Sequence, residues 1–286
     1  MSRLRFSTKS VDLAEHLLVI EEPMANLIAA SHGTDNSSGA AAISAMVKSV
    51  QNTLDATLAG HRTFEAFVDV QQPDVSAVLA EAGNTDPAII VPLLLATGYH
   101  VRQDIADAAF EAGEHVSITN ALGPDERLVK VLVRRLSEVG YQQTDLVVLA
   151  VAGSSDQRAQ AESALVQLMF EEALGQKVEL AFLSAAEPKL KELIPKLKFQ
   201  NPNKRVVVAT YLLADGYFAG LTKKFGAHLV AEPLLVEGQT SPQELVDIVV
   251  DRFKGGIAGT TTGCLTGLRG EPFAGCAAGC KTSCRA

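Results

Sequence analysis

The feature that most limits what this chain can become is an ordered repeat of strand-length and helix-length segments. Apolar runs stand at "NLIAAS" (26 to 31), "FEAFVDV" (64 to 70), "AIIVPLLLA" (88 to 96), "DLVVLAVA" (145 to 152), "VELAFLS" (178 to 184) and "RVVVATYLLA" (205 to 214). Runs of that length suit strands buried on both faces, and amphipathic stretches between them, such as "AESALVQLMFEEAL" and "PKLKELIPKL", suit crossover helices. The alternation predicts an α/β chain of β-α-β units with parallel sheets flanked by helices, of Rossmann or flavodoxin type.

The pattern also repeats on a larger scale. "AASHGTDN" (29 to 36) lies over "AVAGSSDQ" (150 to 157), "DVQQPDVSAVL" over "SAAEPKLKELI", and "VPLLLATGYHVRQDI" over "ATYLLADGYFAGLTK". Self-similarity of this kind sets the domain count. It predicts two similar halves, residues 23–140 and 141–254, joined near "SEVGYQQTD", with an N-terminal extension over 1–22 and a Gly/Cys-rich tail over 255–286. His32 and His100 of the first half fall against Ala152 and Phe218 of the second.

Composition removes several function classes. With 47% hydrophobic and 20% charged residues the chain is neither disordered nor fibrous. A net charge of -8 without a Lys/Arg run argues against nucleic-acid binding. No apolar stretch reaches membrane-spanning length, and "HLLVI" near the N-terminus is too short for a secretory signal, so a cytoplasmic protein with no membrane partner is expected.

In open α/β sheets, ligands bind beyond the carboxyl ends of the strands. His32 follows "NLIAAS", His100 follows "AIIVPLLLATGY", and Asp69 closes "FEAFVDV", which puts all three at one sheet edge. Two imidazoles and a carboxylate suit a divalent transition metal, and an imidazole also accepts a proton near neutral pH. Each residue has a plainer reading: His32 as a cap or backbone partner, Asp69 as an Asx turn. Ser31, Tyr99 and Arg102 flank the histidines and are the candidate substrate-binding residues. Arg102 offers a planar fork for a carboxylate, or pairs at the helix start with Asp104. Arg62, Lys223 and Lys224 are further candidate cations. "SHGTDNSSG" lacks both G-x-G-x-x-G and the P-loop pattern, so no nucleotide is expected, although its backbone N–H groups could hold a phosphate. His61, His115 and His228 lack strand-end context.

"ASHGT", then "VPLLLATGYHVRQDI", with "GEHVSITNALGPDERL" behind it, resembles the CbiX/SirB family of sirohydrochlorin chelatases, in their long two-half form. That resemblance implies two chelatase-like domains with the active-site cleft between them, the first catalytic and the second a degenerate copy. It implies ATP-independent insertion of Co²⁺ or Fe²⁺ into the tetrapyrrole sirohydrochlorin, on the way to cobalamin or sirohaem. His32 and His100 would bind the incoming metal and help take the pyrrole protons. Asp69 stands where the family usually has glutamate, and Ser31 where it usually has glycine.

The tail carries all four cysteines, Cys264, Cys276, Cys280 and Cys284, the last three at intervals of four. Four thiolates suit an iron-sulfur cluster or zinc, a metal-delivery segment, or no metal at all; longer family members resemble this chain in having such a tail, with a cluster. Rival functions are a non-catalytic metal or tetrapyrrole carrier, and a chelatase for another metal, such as nickel, or another tetrapyrrole. A metal donor or a downstream pathway enzyme would be the protein partner.

Overall fold

A computed structural model of the chain describes residues 24–82, 87–98 and 103–259. Tyr99, His100, Arg102, the N-terminal extension and the four cysteines lie outside the described residues. The first half runs β1 (Asn26–Ser31), α1 (Ser37–Thr57), β2 (Arg62–Phe67), α2 (Val75–Ala82), β3 (Ala88–Pro92), α3 (Asp104–Ala112), β4 (Val116–Ile118) and α4 (Glu126–Glu138). The second runs β5 (Leu146–Val151), α5 (Gln157–Leu174), β6 (Val178–Phe182), α6 (Leu190–Gln200), β7 (Val206–Tyr211), α7 (Tyr217–Thr222), β8 (Leu229–Val230) and α8 (Gln243–Ile257). Each half builds a parallel four-stranded sheet, in the orders β2-β1-β3-β4 and β6-β5-β7-β8. This is the two-sheet α/β fold expected from the repeat.

The repeat is exact enough in backbone to pair residues across it. Val68 donates its N–H to the Ser31 carbonyl at 2.9 Å, as Leu183 does to Val151 at 2.9 Å. Asp69 donates to His32 at 3.2 Å, as Ser184 does to Ala152 at 2.9 Å. Asn36 caps α1 by accepting the Gly39 N–H at 2.8 Å, and Asp156 caps α5 by accepting that of Arg158 at 2.9 Å. His32 therefore answers to Ala152, and the windows "AASHGTDN" and "AVAGSSDQ" superpose only after a shift of one residue.

The ends of β2 and β3 differ from the sequence reading, and two short strands were not expected. β2 ends at Phe67, so Asp69 stands in the loop two residues beyond it. β3 ends at Pro92, which donates no N–H and stands past Ile118, the last β4 residue paired to β3; Leu93 still donates to the Ala30 carbonyl at 2.7 Å, and the Leu94 carbonyl accepts the Leu122 N–H at 2.8 Å. The fourth strands β4 and β8, three and two residues long, are missing from the apolar runs because so few residues carry no period.

Period-two alternation sorts each strand's side chains into two layers. Ile28, Ala30 and Ile90 face an outer cluster with Val78, Leu79, Ile105 and Ala109 of α2 and α3. Leu27, Ala29, Ile89 and Val91 face inward into one core shared with Val147, Leu149, Val207 and Ala209 of the other sheet. The helices between the sheets change sides. α4 follows the first sheet in the chain but packs on β7 and α5, whereas α8 ends the second half but packs on β3 and α1. Phe253 of α8 meets the His61 ring edge-on at 5.2 Å. Gly256, still inside α8, lies so close to β3 that an added Cβ would be 2.6 Å from Ile89 Cγ2. That contact explains why the helix keeps a residue of poor helix propensity and runs on past the expected start of the tail.

Candidate active site at the carboxyl edge of the first sheet

β1 is the strand whose exit is best placed for a site, because it pairs in parallel with both β2 and β3. Its last residue, Ser31, is buried at 1% exposure, and its hydroxyl has no hydrogen-bond partner among the described residues. His32 follows, half-buried, with Nδ1 3.4 Å from the Gly33 carbonyl. Gly33 turns the chain at φ 86°, and a Cβ there would lie 3.0 Å from the Gln71 nitrogen. Only glycine fits that turn comfortably. The Gln71 side chain accepts the Thr34 N–H at 2.8 Å, so the loop after β1 is bonded to the loop after β2, where the Asp69 carboxylate is exposed. The structure thus places His32 and Asp69 on adjacent loops of one sheet edge. His100, Tyr99 and Arg102, three of the expected site residues, fall in the undescribed stretch after Gly98. Among the described residues no three His, Cys, Asp or Glu side chains gather as a metal-binding group.

The two carboxyl edges face each other. Gly216, after β7, is near enough to the first half that a Cβ on it would lie 3.2 Å from Thr34 Oγ1, and a Cβ on Gly39 would run into the Asp215 carbonyl. The reciprocal contact brings Gly98 toward Ser154, with 3.8 Å from an added Cβ to Oγ. The loop that carries His32 therefore lies against the β7–α7 turn of the second half, through Thr34.

A model of the CbiX family matches residues 26–139 and 146–222, which takes in both carboxyl edges. The chain belongs to the CbiX family. Among proteins similar to this CbiX chain, the sirohydrochlorin ferrochelatase of Priestia megaterium is 29% identical over 220 residues, covering 73% of this chain and 77% of that protein. The Bacillus subtilis sirohydrochlorin ferrochelatase is 27% identical over 53% of this chain and 61% of its own length. A sirohydrochlorin cobaltochelatase of Sulfurisphaera tokodaii is 33% identical over 26% of this chain and 63% of its own length. In fold, the CbiX chain resembles SirB from Bacillus subtilis with Fe³⁺, at a TM-score of 0.67 and 20% identity over 84% of this chain and 96% of that one. SirB from B. subtilis subspecies spizizenii in complex with cobalt gives 0.63 and 16% over 81% and 94%.

Sequence reading missed two second-half residues beside this edge. Glu162 of α5 accepts the Thr97 N–H through Oε2 at 2.6 Å, and the Tyr211 hydroxyl of β7 donates to the Leu95 carbonyl at 3.3 Å. Burial, and next the Glu162 charge, push the Tyr211 hydroxyl's pKa far up, so it stays a donor. Gly123 completes the contact, since a Cβ on it would strike the Leu95 carbonyl and the Tyr211 hydroxyl. No motif marks Glu162; its partner is 65 residues away in the chain.

Of the other candidates, Arg62 opens β2, at the amino end of the sheet and away from the cleft, and it stacks on Phe64 at 4.6 Å. A charge there cannot meet a ligand at the carboxyl edge. Lys223 donates to Glu232 at 3.0 Å, which compensates its charge, while Lys224 is exposed. His61 and His228 are held by backbone: their Nδ1 atoms accept N–H groups of Ala25 at 3.1 Å and Val206 at 2.8 Å.

Proposed function

We propose that this chain is a sirohydrochlorin chelatase that inserts Co²⁺ or Fe²⁺, with the chemistry on its first half. The observation that carries the reading is His32 at the carboxyl end of the central strand, inside the CbiX match and paired in register with a second half that has Ala152. Relatives named both for iron and for cobalt support the reaction class and leave either metal as substrate.

The reaction asks little covalent chemistry of the protein. A divalent ion must lose water, two pyrrole N–H protons must leave, and four nitrogens must close on the metal; no nucleotide takes part. Imidazole suits a borderline divalent ion, so His32 would serve as a metal ligand, with His100, on this reading, as its partner. Asp69 would take up a departing proton or hold a charged intermediate by electrostatics. Ser31, Tyr99 and Arg102 are proposed to contact the macrocycle, Arg102 through its carboxylates. A cytoplasmic location, a metal donor or downstream enzyme as partner, and a cluster or zinc on Cys264, Cys276, Cys280 and Cys284 belong to the same proposal.

The test follows the absorbance change of sirohydrochlorin with Co²⁺ and with Fe²⁺ in turn. Acceleration over the spontaneous rate that His32→Ala and His100→Ala each abolish supports the reading. Tight metal or product binding without acceleration favours a carrier, and preference for nickel or another tetrapyrrole favours a different chelatase. Iron and acid-labile sulfide in purified protein, lost on replacing the four cysteines with serine, check the tail.

A further inference from the structure

The outward face of α5 is not composed like a face that meets only water. Its core side is Ala159, Ser163, Val166 and Phe170. On the opposite side Arg158, Ala161, Leu165, Leu168 and Glu172 are exposed, spaced by three and four residues in turn. That spacing lines them up in one stripe along the helix, the seam along which two helices pair. Leu165 is 47% exposed and Leu168 59%, and among the described residues no other helix carries two large apolar side chains so exposed.

The repeat supplies a control. By the register that pairs Asn36 with Asp156, the buried positions of α5 fall on Gly39, Ile43, Met46 and Val50, all buried in α1, so the two helices turn the same side to their sheets. The outward positions answering to Ala161, Leu165, Leu168 and Glu172 are Ala41, Ala45, Lys48 and Asn52, all exposed as well. A helix at this place in the fold therefore needs no leucine toward solvent. Exposed apolar side chains rimmed by charge are the mark of a contact surface.

The charges at the ends of the stripe select the partner. Arg158 stands seven residues before Leu165 and Glu172 seven after it. Turned end for end against a copy of itself, the stripe meets its own complement: the leucines of one chain face those of the other, and each Arg158 comes opposite the other chain's Glu172. We propose that α5 is the interface of a homodimer, two chains joined by antiparallel two-fold pairing of this helix with Leu165 and Leu168 at the centre. Such a contact uses the same patch on both chains and closes on itself. One helix face buries less than the about 1,200 Å² at which stable interfaces begin, so the dimer is weak and half-formed at a chain concentration on the order of 10⁻⁵ M.

Sedimentation equilibrium of the full chain, from micromolar to near-millimolar concentration, should show a reversible monomer–dimer equilibrium. Leu165→Lys brings like charges together beside the two-fold axis and should raise the midpoint concentration at least about a hundredfold, as should Leu168→Lys. Arg158→Glu makes both end pairs repulsive and should raise it about tenfold. Adding Glu172→Arg to Arg158→Glu reverses each pair and should bring the midpoint back to within about threefold of the parent. All four positions are exposed, so each variant should keep the parent's urea midpoint when both are monomeric. A parent that stays monomeric would overturn the proposal, and a loss of stability in monomeric Leu165→Lys would then assign the stripe to a segment of the same chain. A dimer indifferent to Leu165→Lys, or a charge reversal that the second substitution does not rescue, would overturn it equally.

Discussion

The two halves have nearly the same backbone, and their informative differences fall on a few paired positions. The turn after the first strand keeps its hydrogen bonds and its left-handed glycine in both, Gly33 at φ 86° and Gly153 at φ 96°, yet carries His32 in one and Ala152 in the other. A turn that forms as well around alanine does not need histidine to fold. The contrast supports the proposed role of His32 as a ligand or proton acceptor. The second half has changed the other way, with Tyr211 and Glu162 where the first has Leu93 and Ala42. On the proposed reading one copy bears the chemical groups, while its twin lends polar contacts to the loop after β3.

The sharpest way to break this comparison is to make the first half like the second. His32→Ala should cut metal insertion by a hundredfold or more, the upper part of the range for a lost acid-base or ligand group, while stability to urea changes by no more than about 0.5 kcal/mol. A marked loss of stability would mean that the histidine is structural after all. The converse change, Ala152→His, should create no second site, because Phe218 stands at the position answering to His100, half-buried with its ring 5.5 Å from that of Tyr217.

The exchanged helices give the next largest effect. Phe253 of α8 is fully buried in the shared core, so Phe253→Ala should cost about 3–5 kcal/mol. Because α8 covers the first sheet and α4 the second, that loss should appear in one cooperative urea transition seen alike by probes in either half. Two separated transitions would show that the sheets unfold independently. Tyr211→Phe is milder. It removes one hydroxyl from the Leu95 carbonyl and should lower stability by about 1 kcal/mol, whereas Leu93→Ile at the paired position should shift it less through polar terms, having none to lose.

What the sequence made legible follows from how local each signal is. The long strands β1, β3, β5 and β7 are apolar on both faces, and that composition is visible in any window containing them. The placement of His32 and Asp69 at one sheet edge was legible because both follow apolar strand runs closely. β4 and β8 were not, since two or three residues carry no period and their pairing to β3 and β7 is set by tertiary packing. The crossing of α4 and α8 was also hidden, because an amphipathic stripe records that a face is buried and not which sheet buries it. Glu162 looked like one of many helix-surface acids until the folded chain brought Thr97 to it.

The smallest effect separates the halves by acid. At the start of β5, Asp145 accepts Arg205 Nε at 2.8 Å and Nη2 at 2.6 Å, and the Gln142 N–H at 2.8 Å. The Arg205 hydrogen bonds, with help from Gln142, hold its carboxyl below the usual range. The paired positions in the first half, Ala25 and Pro87, carry no charge: Asn26 donates to Pro87 at 2.7 Å as Leu146 does to Arg205 at 2.8 Å. A lowered carboxyl contributes stability that is present above its unfolded value, about pH 4, and lost as pH falls through the folded one. The first half has the opposite case in Glu65, whose carboxyl is pushed up by burial, against the pull of Ser44, where the second half has Leu180. Protonating Glu65 relieves a cost of folding, so acid works for that half as it works against the other. On going from pH 6 toward pH 3, amide protection near the start of β5 should therefore fall before protection near the start of β1, and Asp145→Asn should lower it at pH 6 and remove most of its further fall with acid. Equal decline in the two sheets would place the acid response in the core they share rather than in the residues that tell them apart.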